Sequence, residues 1–375
     1  MGLNGKKKDG RLRSGYTTGA CAAAAAKAAL LKLLRPEADP GMVSIPFPDG
    51  TRHEFELFSL GRNGSSSSAS VIKDAGDDPD VTNGAEISAR VRMLPETEKK
   101  KTDGKAGDVI FKAGAGVGTV TRKGLAVAEG EPAINPGPRM MIRAAIREAF
   151  AEASVSPEGW RPVEVSVSIK NGESLSKNTL NPRLGIAGGL SILGTTGIVR
   201  PVSAKAWTDT IEVCLNVAEK AGLEEIILST GRTSERAVQD LLGLPDEALV
   251  MMGDYLEYAM KAAGRRNFKR LHLAGMWAKI LKAALEIPQT HVRHGALDMK
   301  RVAGLLLDLG LPGKLEKEVS GANTARQVLE MLLSGRQEKM VQAVCSRARD
   351  YAQRLSGIEV RVHLVTPDKM VLVSV

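Results

Sequence analysis

From Gly15 to Ala26 the chain reads G-Y-T-T-G-A-C-A-A-A-A-A, a hydroxyl-bearing turn that feeds a helix with almost no side chain on any face. Alanine has the highest intrinsic helix propensity, and a threonine oxygen accepts from the free amides of a helix start. The spacing therefore predicts a helix from near Thr18, through Lys27, to Leu34, with Thr17 and Thr18 suited to the cap. A helix so bare permits close approach. Its amides and two hydroxyls form a ready site for a carboxylate or phosphate; the same residues equally suit a tightly packed alanine helix whose capping box lacks its acidic partner.

Lys6, Lys7, Lys8, Arg11 and Arg13 precede this apolar run as in a secretion signal, but Lys27 and Lys32 interrupt it, and no later segment reaches the length of a membrane span. A cytoplasmic protein with no membrane partner is expected. At 375 residues the chain exceeds one ordinary core, so two domains are expected. Aromatics make up only 3% while glycines number 39, which implies aliphatic cores and turns that approach ligands closely. Cys21, Cys214 and Cys345 are far apart and odd in number, and of five histidines only His291 and His294 are close together. No disulfide framework and no protein-bound metal are expected. A net charge of +9 favours an anionic partner: nucleic acid, an acidic membrane surface or a polycarboxylated small molecule. Part of that excess, Lys6–Lys8 and Lys99–Lys101, reads as a tail and a solvated loop.

Along the chain, residues 1–10 read as a disordered basic tail. Residues 11–203 read as an α+β domain with a mixed sheet and glycine-rich ligand loops: strands at 43–47, 53–58, 69–73, 86–94, 108–113, 118–121 and 163–169, and a helix over 138–153. Residues 204–375 alternate short apolar strands, at 225–229, 249–252, 270–274 and 359–366, with helices. That rhythm argues for an α/β domain with a mostly parallel, doubly wound sheet.

Four segments are candidates for chemistry. Lys73–Gly84 places Asp74, Asp77, Asp78 and Asp80 within seven residues, which raises a pKa, holds a cationic group, or forms a solvated turn; EF-hand spacing is absent. Gly114–Thr119 is glycine-rich but leads into no helix, so it is not a dinucleotide fingerprint. Asn181–Ser203 holds five glycines with Thr195 and Thr196 between Arg183 and Arg200. Finally, strand 225–229 runs into T-G-R-T-S-E-R, where Thr233 or Ser234 is placed to cap a helix beginning around Glu235. This is an anion site by geometry, or a merely structural cap.

L-R-S-G-Y-T-T-G-A-C-A-A-A-A-A-K-A-A from Leu12, V-I-K-D-A-G-D-D-P-D-V-T-N-G from Val71, G-A-G-V-G-T-V-T from Gly114 and G-E-P-A-I-N-P from Gly130 stand in order in this chain. N-P-R-L-G-I-A-G-G-L-S-I-L-G-T-T-G-I-V from Asn181 and T-G-R-T-S-E-R from Thr230 follow them. Together they resemble the cobalt-precorrin-5B C1-methyltransferase family of anaerobic cobalamin synthesis. The resemblance implies an S-adenosylmethionine-dependent enzyme that methylates C1 of a cobalt-bearing contracted tetrapyrrole to give cobalt-precorrin-6A, the cobalt belonging to the substrate.

On that reading the substrate's carboxylates meet Arg13, Tyr16, Thr17, Thr18, Gly19, Arg183, Thr195, Thr196 and Arg200. Asp74, Asp77 or Asp78 binds the cofactor or takes the released proton, and Gly231, Arg232, Thr233, Ser234 and Glu235 hold the cofactor's carboxylate. These loops are expected to line a cleft between the two halves. The chain departs from the family pattern at Ala278 and Glu286, where glycines are expected, and at Val292, where a serine is; Lys279 and His291 match. A homo-oligomer stays open. The alternative is a basic nucleic-acid-binding protein without enzymatic activity, against which stand the few aromatics and the lack of a groove-reading motif.

Overall fold

The computed structural model describes residues 12–95, 108–201, 203–290 and 296–375. The expected basic tail, Lys99–Lys101, His291, Val292 and His294 lie outside these. The chain forms two compact units, Met1–Ser203 and Ala204–Val375.

In the first unit, β1 (Gly15–Tyr16) leads into α1 (Thr18–Leu34), followed by β2 (Met42–Pro46), β3 (Arg52–Glu56), β4 (Ser59–Asn63), β5 (Ser66–Ile72) and β6 (Glu86–Met93). Then come β7 (Val109–Ala113), β8 (Thr119–Val120), α2 (Pro136–Glu152), β9 (Val163–Ile169), α3 (Gly172–Ser176), β10 (Ile186–Ala187) and β11 (Ile198–Val199). The main sheet has the order β4-β5-β6-β9-β7, and it is mixed as expected: β9 runs antiparallel to β6 and parallel to β7. Its strands alternate, with Ile87, Ala89 and Val91 of β6 and Val163, Val165, Val167 and Ile169 of β9 buried.

The alanine helix explains this unit. Residues Ala20 to Ala26, Ala28, Ala29 and Leu30 of α1 are 0% exposed, because α1 packs against α2 and against β4, β5 and β6 at once. The methyl side chains let backbones close in from every direction, and a larger residue would overpack by about 1–3 kcal/mol. Lys27 interrupts the stripe and is still only 1% exposed. Its stem lies in the core, and its Nζ donates to Ser44 O at 2.7 Å, Glu148 Oε2 at 2.9 Å and Glu152 Oε1 at 2.5 Å.

In the second unit α4 (Ala204–Lys220) precedes β12 (Glu225–Ser229), α5 (Arg232–Leu242), β13 (Leu249–Met251), α6 (Leu256–Gly264), β14 (Arg270–Gly275) and α7 (Trp277–Ala284). There follow α8 (Met299–Asp308), α9 (Glu316–Ser320), α10 (Ala325–Ser334), α11 (Glu338–Ser356), β15 (Glu359–Val365) and β16 (Val371–Ser374). The sheet order is β13-β12-β14-β15-β16, parallel except for the antiparallel edge strand β16. The chain steps one way from β12 to β13 and the other way through β14 to β15. Right-handed crossovers therefore place α5 on one face and α6, α7 and α11 on the other.

Candidate active site

The turn Arg13–Gly19 is held by two other loops of the first unit. Tyr16 N donates to Asp74 O at 2.7 Å, Thr17 N to Gly197 O at 3.0 Å, and Gly19 N to Leu193 O at 2.9 Å. The glycines allow these crossings: a Cβ on Gly15 would lie 2.1 Å from the Ala75 carbonyl carbon, and one on Gly194, where φ is +117°, 2.3 Å from Thr17 Oγ1.

Both threonine hydroxyls are consumed here. Thr17 caps α1 by accepting from Ala20 N at 3.2 Å, and Thr18 Oγ1 accepts from Leu193 N at 2.9 Å. Thr17, Thr18 and Gly19 are buried, and they lock the loops that surround α1's N-terminus. Between the exposed Arg13 and Ser14 and the buried Thr17–Gly19, Tyr16 stays partly open. Its ring centroid lies 4.6 Å from Phe55, 5.6 Å from His53 and 6.1 Å from Phe47, and its hydroxyl lies 3.3 Å from His53 Nδ1. The sequence reading missed this aromatic group. Strand alternation marks Phe47 and Phe55 as core, but the approach of β1 to the β2–β3 hairpin depends on tertiary pairing. Burial, then the nearby Asp74 charge, raises the Tyr16 pKa.

The four aspartates have four different environments. The Arg13 guanidinium grips Asp74 at 2.5 and 2.8 Å and, with the Gly76 amide, holds its carboxyl below the usual carboxylate range. Asp77 Oδ2 accepts from Arg13 N at 2.7 Å while its own amide donates to Arg13 O at 2.9 Å, which ties the two loops together. Asp80 pairs with the buried Lys73 ammonium at 2.8 Å and accepts from Thr82 N and Oγ1. Those bonds outweigh its burial and lower its pKa. Asp78 is half-buried, and its carboxylate has neither hydrogen bond nor ion pair among the described residues. Burial first and the Asp80 charge second raise its pKa. It is the one member of the cluster disposed to take up a proton.

Thr195 and Thr196 lie exposed before β11, with Thr196 Oγ1 donating to Ile198 O at 3.2 Å. Arg200 is exposed; Arg183 is half-buried and its carbonyl accepts from Arg122 Nη1 at 2.9 Å. Arg13 is exposed and its guanidinium pairs with Asp74 of the aspartate loop.

In the second unit, α5 begins three residues earlier than the expected start around Glu235, at Arg232 with Gly231 as N-cap and no side-chain cap bond. Thr233 and Ser234 thus fall inside the first turn, and Ser234 Oγ donates back to Gly231 O at 3.0 Å. Glu235 is 4% exposed and accepts from Ser229 Oγ at 3.0 Å, which removes it from any ligand-facing set. Gly231 and the exposed Arg232 remain at the carboxyl end of β12, between β13 and β14, where the order of the strands reverses; open α/β sheets bind ligands at that point.

Among the described residues no group of three or more His, Cys, Asp or Glu is placed to hold a metal, and no helix is long and apolar enough to cross a membrane. Residues 5–201 match the family model described as CbiD, and residues 289–375 match CbiD, C-terminal domain. A protein of Desulfotalea psychrophila named cobalt-precorrin-5B C(1)-methyltransferase is 51% identical, the match covering 94% of this chain and 95% of that one. A protein of the same name from Geobacter metallireducens is 48% identical over 96% and 98%. The crystal structure of a cobalamin biosynthesis protein (cbiD) from Archaeoglobus fulgidus is 25% identical, covering 73% of this chain and 80% of that chain with a TM-score of 0.38. By these matches, spanning both units and nearly the whole length of its relatives, the chain belongs to the CbiD, or cobalt-precorrin-5B C(1)-methyltransferase, family.

Proposed function

We propose that this chain methylates C1 of cobalt-precorrin-5B to give cobalt-precorrin-6A, with S-adenosylmethionine as the methyl donor. The observation that carries the reading is the near-full-length identity to relatives of that name. The donor supplies a sulfonium methyl; the new carbon–carbon bond forms at the ring as the carbon–sulfur bond breaks, and a proton leaves the macrocycle. Charge on sulfur disperses in that step, so the protein contributes mainly position and exclusion of water.

Asp78 receives the proton. Its raised pKa and unpartnered carboxylate suit a general base, whereas Asp74 and Asp80 are neutralised by cations and Asp77 holds a backbone. Tyr16, Arg183, Thr195, Thr196 and Arg200 are the remaining members of the first unit's candidate set with exposed or partly exposed groups, and Arg13 is exposed beside Asp74. For the donor, Gly231 has open space where a Cβ would stand, and the uncapped amides of α5 beside exposed Arg232 fit a carboxylate. Three buried cysteines outside any disulfide suit a reducing compartment, and we place the enzyme in the cytoplasm.

Turnover tests the reading. Cobalt-precorrin-5B and S-adenosylmethionine are expected to yield S-adenosylhomocysteine in equal amount to macrocycle consumed; consumption of neither refutes it.

A further inference from the structure

A solvent-open hollow of about 660 Å³ runs along the outer edge of β7 in the first unit, walled on the far side by Thr119 and Gly130–Pro132. Among the described residues β7 pairs only with β9, so its other edge faces the hollow. Arg139 and Arg143, one helical turn apart on α2, both lie over the Phe111 ring, at 5.1 and 5.0 Å from its centroid. The exposed Lys112 adds a third cation to the lining.

The two arginines are not equivalent. Arg139 is fixed in advance: its Nε donates to Ile134 O at 2.8 Å, and its Nη2 to Pro132 O and Glu131 Oε2, both at 3.2 Å. Arg143 has as its ion-pair partner Asp108, 4.0 Å away, and its side chain keeps 38% of its exposure. Two guanidiniums within about 5 Å of one ring centroid raise the local positive potential, which a bound anion lowers. A guanidinium presents paired donors that match the two oxygens of a carboxylate.

We propose that this hollow is a docking site for a ligand carrying several carboxylates, with Arg143 and Lys112 as its contacts and Arg139 as the pre-positioned partner. For the methyl acceptor, this rests on the reading given under Proposed function: the hollow grips peripheral carboxylates of the macrocycle. The binding of a polycarboxylate as such does not depend on that reading.

The probe is mellitate, a flat ring with a carboxylate on every carbon, titrated calorimetrically into the full chain, its R143Q and K112Q variants, and R143K. Loss of one charged contact is expected to weaken mellitate on the order of tenfold in R143Q, less in K112Q, with R143K between R143Q and the parent. Pyrophosphate, the phosphate arm, is expected to bind more weakly than mellitate. With cobalt-precorrin-5B, R143Q is expected to raise KM by a larger factor than it lowers kcat. Unchanged mellitate affinity in both glutamine variants, pyrophosphate binding tighter than mellitate, or an R143Q enzyme that turns over with unaltered KM overturns the proposal. Mellitate binding that responds to R143Q in a chain with no methyl transfer upholds the hollow and sinks the proposed activity instead.

Discussion

Asp74, Asp77, Asp78 and Asp80 differ only in what surrounds them, and that difference assigns their work. Asp78→Asn is expected to lower kcat on the order of a hundredfold or more with the melting temperature unchanged; an equally active asparagine variant would remove Asp78 from the chemistry. Asp77→Ala is expected to do the reverse, costing about 1 kcal/mol by chemical denaturation because the Arg13 amide loses its acceptor. That four carboxylates cluster was legible in the sequence. Which of them is free was not, since Arg13 and Lys73 reach the cluster through backbone pairings the sequence does not display. The hydroxyls of Thr17 and Thr18 teach the same lesson: residue type announced a capped helix start, but the loop at Leu193–Gly197 turned both inward. At Glu286 φ is +57°, a conformation that costs a side chain about 1 kcal/mol. The exposed ion pair to Arg354 at 2.5 Å offsets little of this. Urea titration of Glu286→Gly is therefore expected to give stability equal to the parent or up to about 1 kcal/mol higher; a large loss would show that the Arg354 contact matters more than the strain.

At the scale of elements, propensity and period placed α1, β9 and β12 to the residue and most others within a few positions. β1, β4, β10, β11, β16, α3, α8 and α9 were missed: β4, for one, is polar and pairs with the serine run of β5, through bonds such as Ser67 Oγ to Gly61 O at 2.7 Å, and such a strand has no apolar alternation to read. α1's all-round burial makes a sharp demand. Ala24→Leu is expected to destabilise the chain by about 1–3 kcal/mol in thermal or urea unfolding, although leucine is a good helix former. The second sheet carries a polar row across four strands, its two central histidines buried, Glu225 half-buried and Ser374 exposed. With both imidazoles neutral the row runs one way: His272 Nε2 donates to Glu225 Oε2 at 3.1 Å, His363 Nε2 donates to His272 Nδ1 at 3.0 Å, and Ser374 Oγ donates to His363 Nδ1 at 2.8 Å. Burial pushes His363 from 6.5 down to about 4, and His272 shifts the same way. Because the folded pKa is depressed, the unfolded chain binds protons first. The row's contribution is full above pH 6.5 and is lost as pH falls from there toward 4. Wild-type unfolding free energy is expected to drop on the order of 3 kcal/mol more than that of His363→Gln over this window; parallel pH profiles would contradict the neutral row.

At the scale of the whole molecule, the net charge of +9 and the run of shared motifs lead to different functions unless weighed together. Basic charge alone permits nucleic acid, yet the chain has only six phenylalanines, four tyrosines and three tryptophans for base stacking. Oligonucleotide binding is expected to be weak and erased at physiological salt, as counterion release dictates for scattered cations; submicromolar affinity there would revive that function. The family was legible because six strings in order cannot arise from composition, whereas the hollow beside β7 was not, since Phe111, Arg139 and Arg143 meet only when α2 packs on the sheet edge. The most direct measurement is transfer itself. Cobalt-precorrin-5B is incubated with S-adenosylmethionine carrying a carbon-13 methyl, and the product is read by NMR. One labelled methyl per macrocycle, located at C1, is the result this account predicts; no label, or label at another ring position, would contradict it.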